Sequence, residues 1–258
     1  MSIEQRIENA AALIKACQRM VVLTGAGVSK ESGVPTFRDA LDGLWAQYDP
    51  QRLATPQAFA ANPKLVWDFY EYRREIMRPA QPNPAHRALA ALETRFPGLP
   101  IITQNVDDLH EQAGSTNIIR LHGKINANRC SKNCQGSPTP IDVTTLEWDH
   151  AHDMPHCPYC GHPVRPDVVW FGEMLPLDQL DEAKSLSARA DVMLVVGTSG
   201  VVVPASDLPH ITKRAGGKVI EINPSESGIT PVADIWLQGA AGDLLPRVVA
   251  ALDTAQDA

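Results

Sequence analysis

Short apolar runs alternate along the chain with stretches of helical period. Runs at Val21–Thr24, Ile101–Thr103, Ile118–Leu121, Val192–Val196, Val219–Ile222 and Ile235–Leu237 read as buried strands. Helical spacing predicts helices over Ser2–Gln18, Lys64–Arg74, Pro84–Glu93, Leu177–Arg189, Pro204–Arg214 and Gly242–Leu252. In the first of these, Ile3, Ile7, Ile14 and Cys17 recur on one face. Apolar strands that alternate with helices predict an α/β fold built on a mostly parallel sheet. Two stretches leave the pattern. Residues 37–82 show no strand and end in Arg78-Pro79-Ala80-Gln81-Pro82-Asn83-Pro84, a stiff connector. Residues 124–167 hold four clustered cysteines and much of the Pro, His and Asp content. Both read as excursions that return to the sheet.

With 258 residues the chain can bury one large core and carry a smaller appended module. Its formal net charge of −7 argues against broad nucleic-acid or anionic-membrane binding. No apolar run reaches the ~20 residues of a membrane span. The opening Met-Ser-Ile-Glu-Gln-Arg has no apolar leader pattern. The expectation is no nucleic-acid partner, no membrane association, a cytoplasmic location and a monomer. The clustered cysteines suit a metal in a reducing compartment better than disulfides. Cys130-x3-Cys134 and Cys157-x2-Cys160 are separated by 22 residues. Two such pairs on turns can bring four thiolates around Zn2+ at ~2.3 Å, a closed set that holds structure and does no chemistry. His156 and His162 flank the second pair as alternative ligands, and Cys17 is left over, expected to be buried in the first helix.

Candidate chemistry gathers where strands end. Gly25-Ala26-Gly27-Val28-Ser29 follows the first strand, and its glycines permit a tight turn and close approach of a phosphate. The third glycine of the dinucleotide fingerprint is replaced by Lys30, and no acid ends a second strand ~20 residues on. A nucleotide is therefore expected here, but not one used for hydride transfer. Thr103-Gln104-Asn105-Val106-Asp107-Asp108-Leu109-His110 offers amides and carboxylates that either grip a carboxamide or cap the next helix. His122, in Leu121-His122-Gly123, is either a general base for a hydroxyl or a structural imidazole. Gly197-Thr198-Ser199 and Asn223-Pro224-Ser225 add small polar residues after two later strands.

In order and spacing, these segments, together with Gly33-Val34-Pro35-Thr36-Phe37-Arg38, the four cysteines and Val168-Val169-Trp170-Phe171-Gly172-Glu173, resemble the sirtuins from about residue 20 to 242. The resemblance implies a Rossmann-like domain (residues 1–36, 83–123 and 168–258), with a small domain made of a helical module (37–82) and a zinc module (124–167). NAD, consumed as a co-substrate, and an acyl-lysine protein or peptide would meet in the cleft between them. It further implies that Gly25, Ala26, Gly27, Thr36, Phe37 and Arg38 form the cofactor loop. Gln104, Asn105 and Asp107 would surround the nicotinamide and its ribose. Gly197, Thr198, Ser199, Asn223 and Ala241 would hold the adenosine half. Val169, Phe171 and Gly172 would pair with the substrate backbone as an added strand.

The implied reaction is lysine deacylation. The acyl oxygen attacks C1′ of the ribose and expels nicotinamide. His122, with Asn105 as the other catalytic residue, is then the general base that leads to O-acyl-ADP-ribose.

Tyr70 and Arg73, three apart, share a helix face, and a phenol beside a guanidinium can receive a carboxylate. Here the resemblance narrows to class III sirtuins, with Ala54 as the small residue that widens the pocket. The expected groups are succinyl, malonyl and glutaryl, with weaker acetyl activity. Alternatives are a deacetylase without carboxyl preference, a mono-ADP-ribosyltransferase, a zinc-ribbon binding module and, for Tyr70 and Arg73, an ordinary solvated helix face.

Overall fold

A computed structural model of the chain describes residues 1–36 and 48–253, so Phe37 and Arg38 lie outside the described residues. In chain order its elements begin α1 (Ile3–Ala16), β1 (Met20–Thr24), α2 (Gly27–Lys30), α3 (Pro50–Leu53), α4 (Pro56–Ala61), α5 (Pro63–Met77) and α6 (Pro84–Arg95). Then follow β2 (Ile101–Thr103), α7 (Leu109–Gln112), β3 (Ile118–Arg120), β4 (Gly123–Cys130), β5 (Val164–Val168), α8 (Leu177–Arg189) and β6 (Val192–Val196). The last are α9 (Leu208–Arg214), β7 (Lys218–Asn223), β8 (Ile235–Gln238) and α10 (Ala241–Asp253). The chain divides into two compact units, residues 1–36, 80–121 and 176–258 in one and residues 37–79 and 122–175 in the other.

The first unit is a six-stranded sheet in the order β3-β2-β1-β6-β7-β8, parallel throughout. Its order is that of a Rossmann-like sheet, with the reversal between β1 and β6. All five residues of β1 and all five of β6 are buried, as strands covered on both faces must be. Val22, Leu194, Val196, Ile220 and Ile222 share one core with Ile7 and Ile14 of α1, Leu89 and Leu92 of α6, and Leu244, Leu245 and Val248 of α10. The alternate residues Val21, Leu23, Met193, Val195 and Val219 are buried too and point to the opposite face. There the Thr212 hydroxyl of α9 reaches the Met193 sulfur at 3.9 Å. Caps fix the helices: Ser2 accepts from the Gln5 N–H, and Asn83 closes a capping box with His86 ahead of Pro84.

All six predicted sheet strands are present. The helix expected over Pro204–Arg214 is instead a 3-10 turn at Ala205–Asp207 followed by α9. Cys17 is the half-buried C-cap of α1, and burial together with the Asp191 charge pushes its thiol up to about 11.

The second unit contains an antiparallel β4–β5 ribbon that the apolar pattern did not predict. Its strands are polar, Pro166 lies inside β5, and the register shifts between Lys124 and Asn128. Ion pairs hold it where apolar alternation does not: Arg129 meets Asp167 at 3.4 Å, and Arg165 meets Glu173 at 2.6 Å. Asp167 is thus a ribbon residue, paired with Lys124 across the strands. Helices α3, α4 and α5 complete this unit, each opened by a capping Asp49, Thr55 or Asn62 and a proline.

Candidate active site

The turns leaving β1 and β6 interlock at the strand reversal. The Gly27 N–H donates to the Gly197 carbonyl at 2.8 Å, and the Gly25 N–H to the Val196 carbonyl at 3.0 Å. A Cβ on Gly27 would lie 2.7 Å from the Gly197 oxygen, and one on Gly197, at φ +63°, only 2.4 Å from the Val28 nitrogen. These glycines are needed for the two turns to touch, a contact the sequence pattern did not predict. Thr198 then becomes a hub. Its hydroxyl accepts from the Gln104 side chain at 3.0 Å, and its carbonyl from the Asn223 side chain at 2.7 Å. The Ser199 carbonyl accepts from Gly228, and Ala241 starts α10, whose Gly242 N–H donates to Glu31. Ala26 caps α2, and Thr36 is the last residue of its described stretch. The crevice beyond the carboxyl ends of the strands at such a reversal is where open α/β sheets take ligands. Amide and hydroxyl groups there fit the ribose and carboxamide groups of a dinucleotide.

Beneath this row lies a buried polar network. Asn105 and Asp107 are 6% and 7% exposed. The Ser29 hydroxyl donates to Asp107 Oδ2 at 2.9 Å and accepts from Asn105 Nδ2 at 3.1 Å. Asp107 Oδ1 accepts from the Leu109 N–H at 3.1 Å, so one oxygen caps the helix, as the plainer sequence reading held, and the other binds Ser29. Burial pushes the Asp107 carboxyl upward against these two hydrogen bonds. Arg120 holds the backbone in place, donating to the Asn105 and Asp107 carbonyls at 3.2 and 2.8 Å.

Two histidines support the network. His86 Nε2 faces Ser29 Oγ at 3.4 Å and its Nδ1 accepts from the Asn83 N–H. His110 Nε2 is 3.0 Å from Thr24 Oγ1, which donates to Thr103 Oγ1 at 2.8 Å; that oxygen accepts from the Asn105 N–H. Burial drives the two imidazoles down to about 4 and about 3, so both are neutral at physiological pH. Sequence reasoning missed Ser29 and His86. The signal available was His86 at the third position of an Asn-Pro-capped helix.

In the second unit, His122 is half-buried and its carbonyl accepts from the Val169 N–H at 3.0 Å. The Phe171 N–H donates to the Ala54 carbonyl at 2.9 Å. The Val169 and Phe171 N–H groups are thus engaged within the chain, and Gly172 follows at φ +87°. Tyr70 and Arg73 lie on α5 and are 1% and 5% exposed, so they are not a solvated helix face. Burial weakens the hold of Arg73 on its proton, and the phenols of Tyr70 and Tyr72 oppose that shift. The next residue, Arg74, is fully engaged, donating to the Ile125 carbonyl at 2.7 Å, to Asn128 Oδ1 at 2.6 Å and to Glu71. Ala54 is buried, its carbonyl tied to the residue after Trp170, whose indole reaches Tyr70.

The four cysteines converge. Their sulfurs lie within 4.8 Å of one another, with Cys130–Cys160 at 3.5 Å and Cys134–Cys157 at 3.7 Å. Four thiolates ~2.3 Å from one ion stand ~3.8 Å apart in a tetrahedron, so the donor set fits a structural Zn2+. The Lys132 N–H points at Cys130 Sγ from 3.4 Å, the support a thiolate ligand takes. His156 instead bridges to Pro163 through backbone pairing.

Comparison with known proteins agrees with these features. A model of the Sir2 family matches residues 25–204. An NAD-dependent protein deacylase of Pyrococcus abyssi is 52% identical, over 94% of this chain and 96% of that protein. A solved Sir2 homolog–NAD complex is 49% identical with a TM-score of 0.85, covering 96% of this chain and 93% of that one. A Sir2–p53 peptide–NAD+ structure is 34% identical with a TM-score of 0.83, covering 95% and 97%.

Proposed function

The chain belongs to the Sir2 family and is an NAD-dependent protein deacylase, and from that premise we propose that the acyl group it removes from lysine carries a carboxylate: succinyl, malonyl or glutaryl, with acetyl a weaker substrate. The observation that carries this reading is the buried pair Tyr70 and Arg73, one turn apart on α5. A guanidinium fork beside a phenol on one helix face can bind a carboxylate through charge-assisted hydrogen bonds. The small Ala54 leaves room for a longer acyl chain.

NAD, when bound, supplies the electrophilic ribose carbon. Gly25, Ala26, Gly27, Gln104, Thr198, Ser199, Asn223 and Ala241 are the residues proposed to hold it, with Asn105 and Asp107 at the nicotinamide end. Ser29 fixes the Asn105 amide and the Asp107 carboxylate in place, so neither has to reorganise when the ligand arrives. His122 is proposed as the proton acceptor for a ribose hydroxyl. The four cysteines hold Zn2+ for structure and take no part in the reaction.

Loss of a charge-assisted hydrogen bond costs about 1.5–3 kcal/mol. Arg73→Met is therefore expected to lower kcat/KM on a succinyl-lysine peptide tenfold or more, and to change it little on the acetyl-lysine peptide. Steady-state kinetics on the two peptides measure this directly. Equal losses on both would contradict the assignment.

A further inference from the structure

Between the β4–β5 ribbon and the acyl-recognition pair stands Trp170, whose role neither the motifs nor the mechanism above require. Its indole Nε1–H donates to the Tyr70 hydroxyl oxygen at 3.0 Å, and both residues are buried, at 2% and 1% exposure. An indole nitrogen can only donate. The Tyr70 oxygen must therefore accept at this contact, and its single O–H is turned elsewhere. Burial pushes the phenol up to about 12, so that proton stays in place across the physiological range. Tyr70 thus presents a donor whose direction is set by its neighbour.

Trp170 is itself clamped. Its backbone N–H donates to Glu173 Oε2 at 2.9 Å. The Arg165 guanidinium lies 3.3 Å from the centre of its ring, and the Phe59 ring packs 5.1 Å away. Arg165 is in turn bound by both Glu173 oxygens, at 2.6 and 3.0 Å, and donates to the Val168 carbonyl at 2.8 Å. The chain Glu173–Arg165–Trp170–Tyr70 fixes the indole before any ligand arrives. A clamp of this kind, built from a partly buried ion pair, is more than apolar filling around a tyrosine requires.

We infer that Trp170 is a positioning residue for acyl selectivity: its indole N–H occupies the acceptor side of the Tyr70 hydroxyl and so aims the Tyr70 O–H at the carboxylate of the acyl chain. This rests on the carboxyl-acyl reading above. Packing alone would be satisfied by phenylalanine at position 170; the hydrogen bond would not. Without it the phenol can rotate to donate to any nearby acceptor, and the carboxylate loses a pre-oriented partner.

The test is a double-mutant cycle. The ratio of kcat/KM for succinyl-lysine to that for acetyl-lysine peptide is measured in wild type, Trp170→Phe, Tyr70→Phe and the double variant. Trp170→Phe is expected to lower this ratio about five- to tenfold, through KM of the succinyl peptide rather than kcat. Tyr70→Phe should lower it at least as much, and the double variant no further. Benzothienylalanine at position 170 keeps the ring shape and removes only the N–H; it should reproduce the loss, and it decides the matter if Trp170→Phe does not fold. A ratio unchanged in the isostere, equal losses on both peptides, or losses that multiply in the double variant would overturn the inference while leaving the carboxylate reading intact. A wild-type enzyme with no preference for succinyl over acetyl would overturn that reading, and this inference with it.

Discussion

His122→Ala is expected to lower kcat by about 10²–10⁴-fold, the usual contribution of a positioned general base, with the fold and the metal content unchanged. Burial separates His86, His110 and His122. His86 and His110 are fully buried, with their protonation driven far below neutrality. Locked neutral and engaged with Ser29 and Thr24, they orient the Asn105 and Asp107 segment and are poor proton acceptors. His122, just beyond β3, is half-buried rather than fully buried, and it is the residue proposed above as the proton acceptor. Its main-chain carbonyl is fixed by Val169, so removing the imidazole leaves that strand contact in place. Single-turnover and steady-state assays, with a melting curve as control, check the prediction. Undiminished kcat in the alanine variant would remove His122 from the reaction.

Removal of the metal should have an effect as large, by another route. The protein as purified is expected to hold one zinc per chain. Stripping it with a strong chelator, or Cys130→Ala, should lower Tm by on the order of 10 °C or more. The reason is the weakness of the surroundings. The cysteines lie on loops and at the end of the ribbon strand β4, which ends at Cys130, so the ion ties together segments with little regular structure of their own. Without the ion, four thiols packed within 4.8 Å have nothing to draw them together. Because Cys130 is buried while Cys134 and Cys160 are exposed, Cys130→Ala should be the more damaging substitution. Elemental analysis and calorimetry measure both effects. A metal-free protein with an unaltered Tm would contradict the structural role.

The parallel sheet was legible because its central strands β1, β2 and β6 are buried throughout and read as unbroken apolar runs, while the edge strands β3 and β8 are short but still mainly apolar. The β4–β5 ribbon was not, because ion pairs and a metal stabilise it, and neither leaves a period in the sequence. Spacing from Tyr70 picked out Arg73 in the sequence, whereas the role of Arg74 emerges only from the packing of α5 against the ribbon. Arg74 reaches the Ile125 carbonyl, and Arg73 is buried on the Tyr70 face. The glycines at 25, 27 and 197 were visible as turn residues. Their mutual contact was not, since it joins positions 170 residues apart in the chain. Ser29, His86 and His110 lie inside recognisable segments, yet their roles come from three-dimensional hydrogen bonding. A serine after a glycine turn and a histidine near a helix start have ordinary local explanations.

The central claim is NAD-consuming removal of a carboxylated acyl group. It is tested most directly by incubating the enzyme with NAD and a succinyl-lysine peptide and weighing every product by mass spectrometry. The account predicts unmodified lysine peptide, nicotinamide and O-succinyl-ADP-ribose in equal amounts, formed faster than the corresponding products from an acetyl-lysine peptide. Nicotinamide release accompanied by ADP-ribose on protein, with the succinyl group still on the lysine, would contradict it.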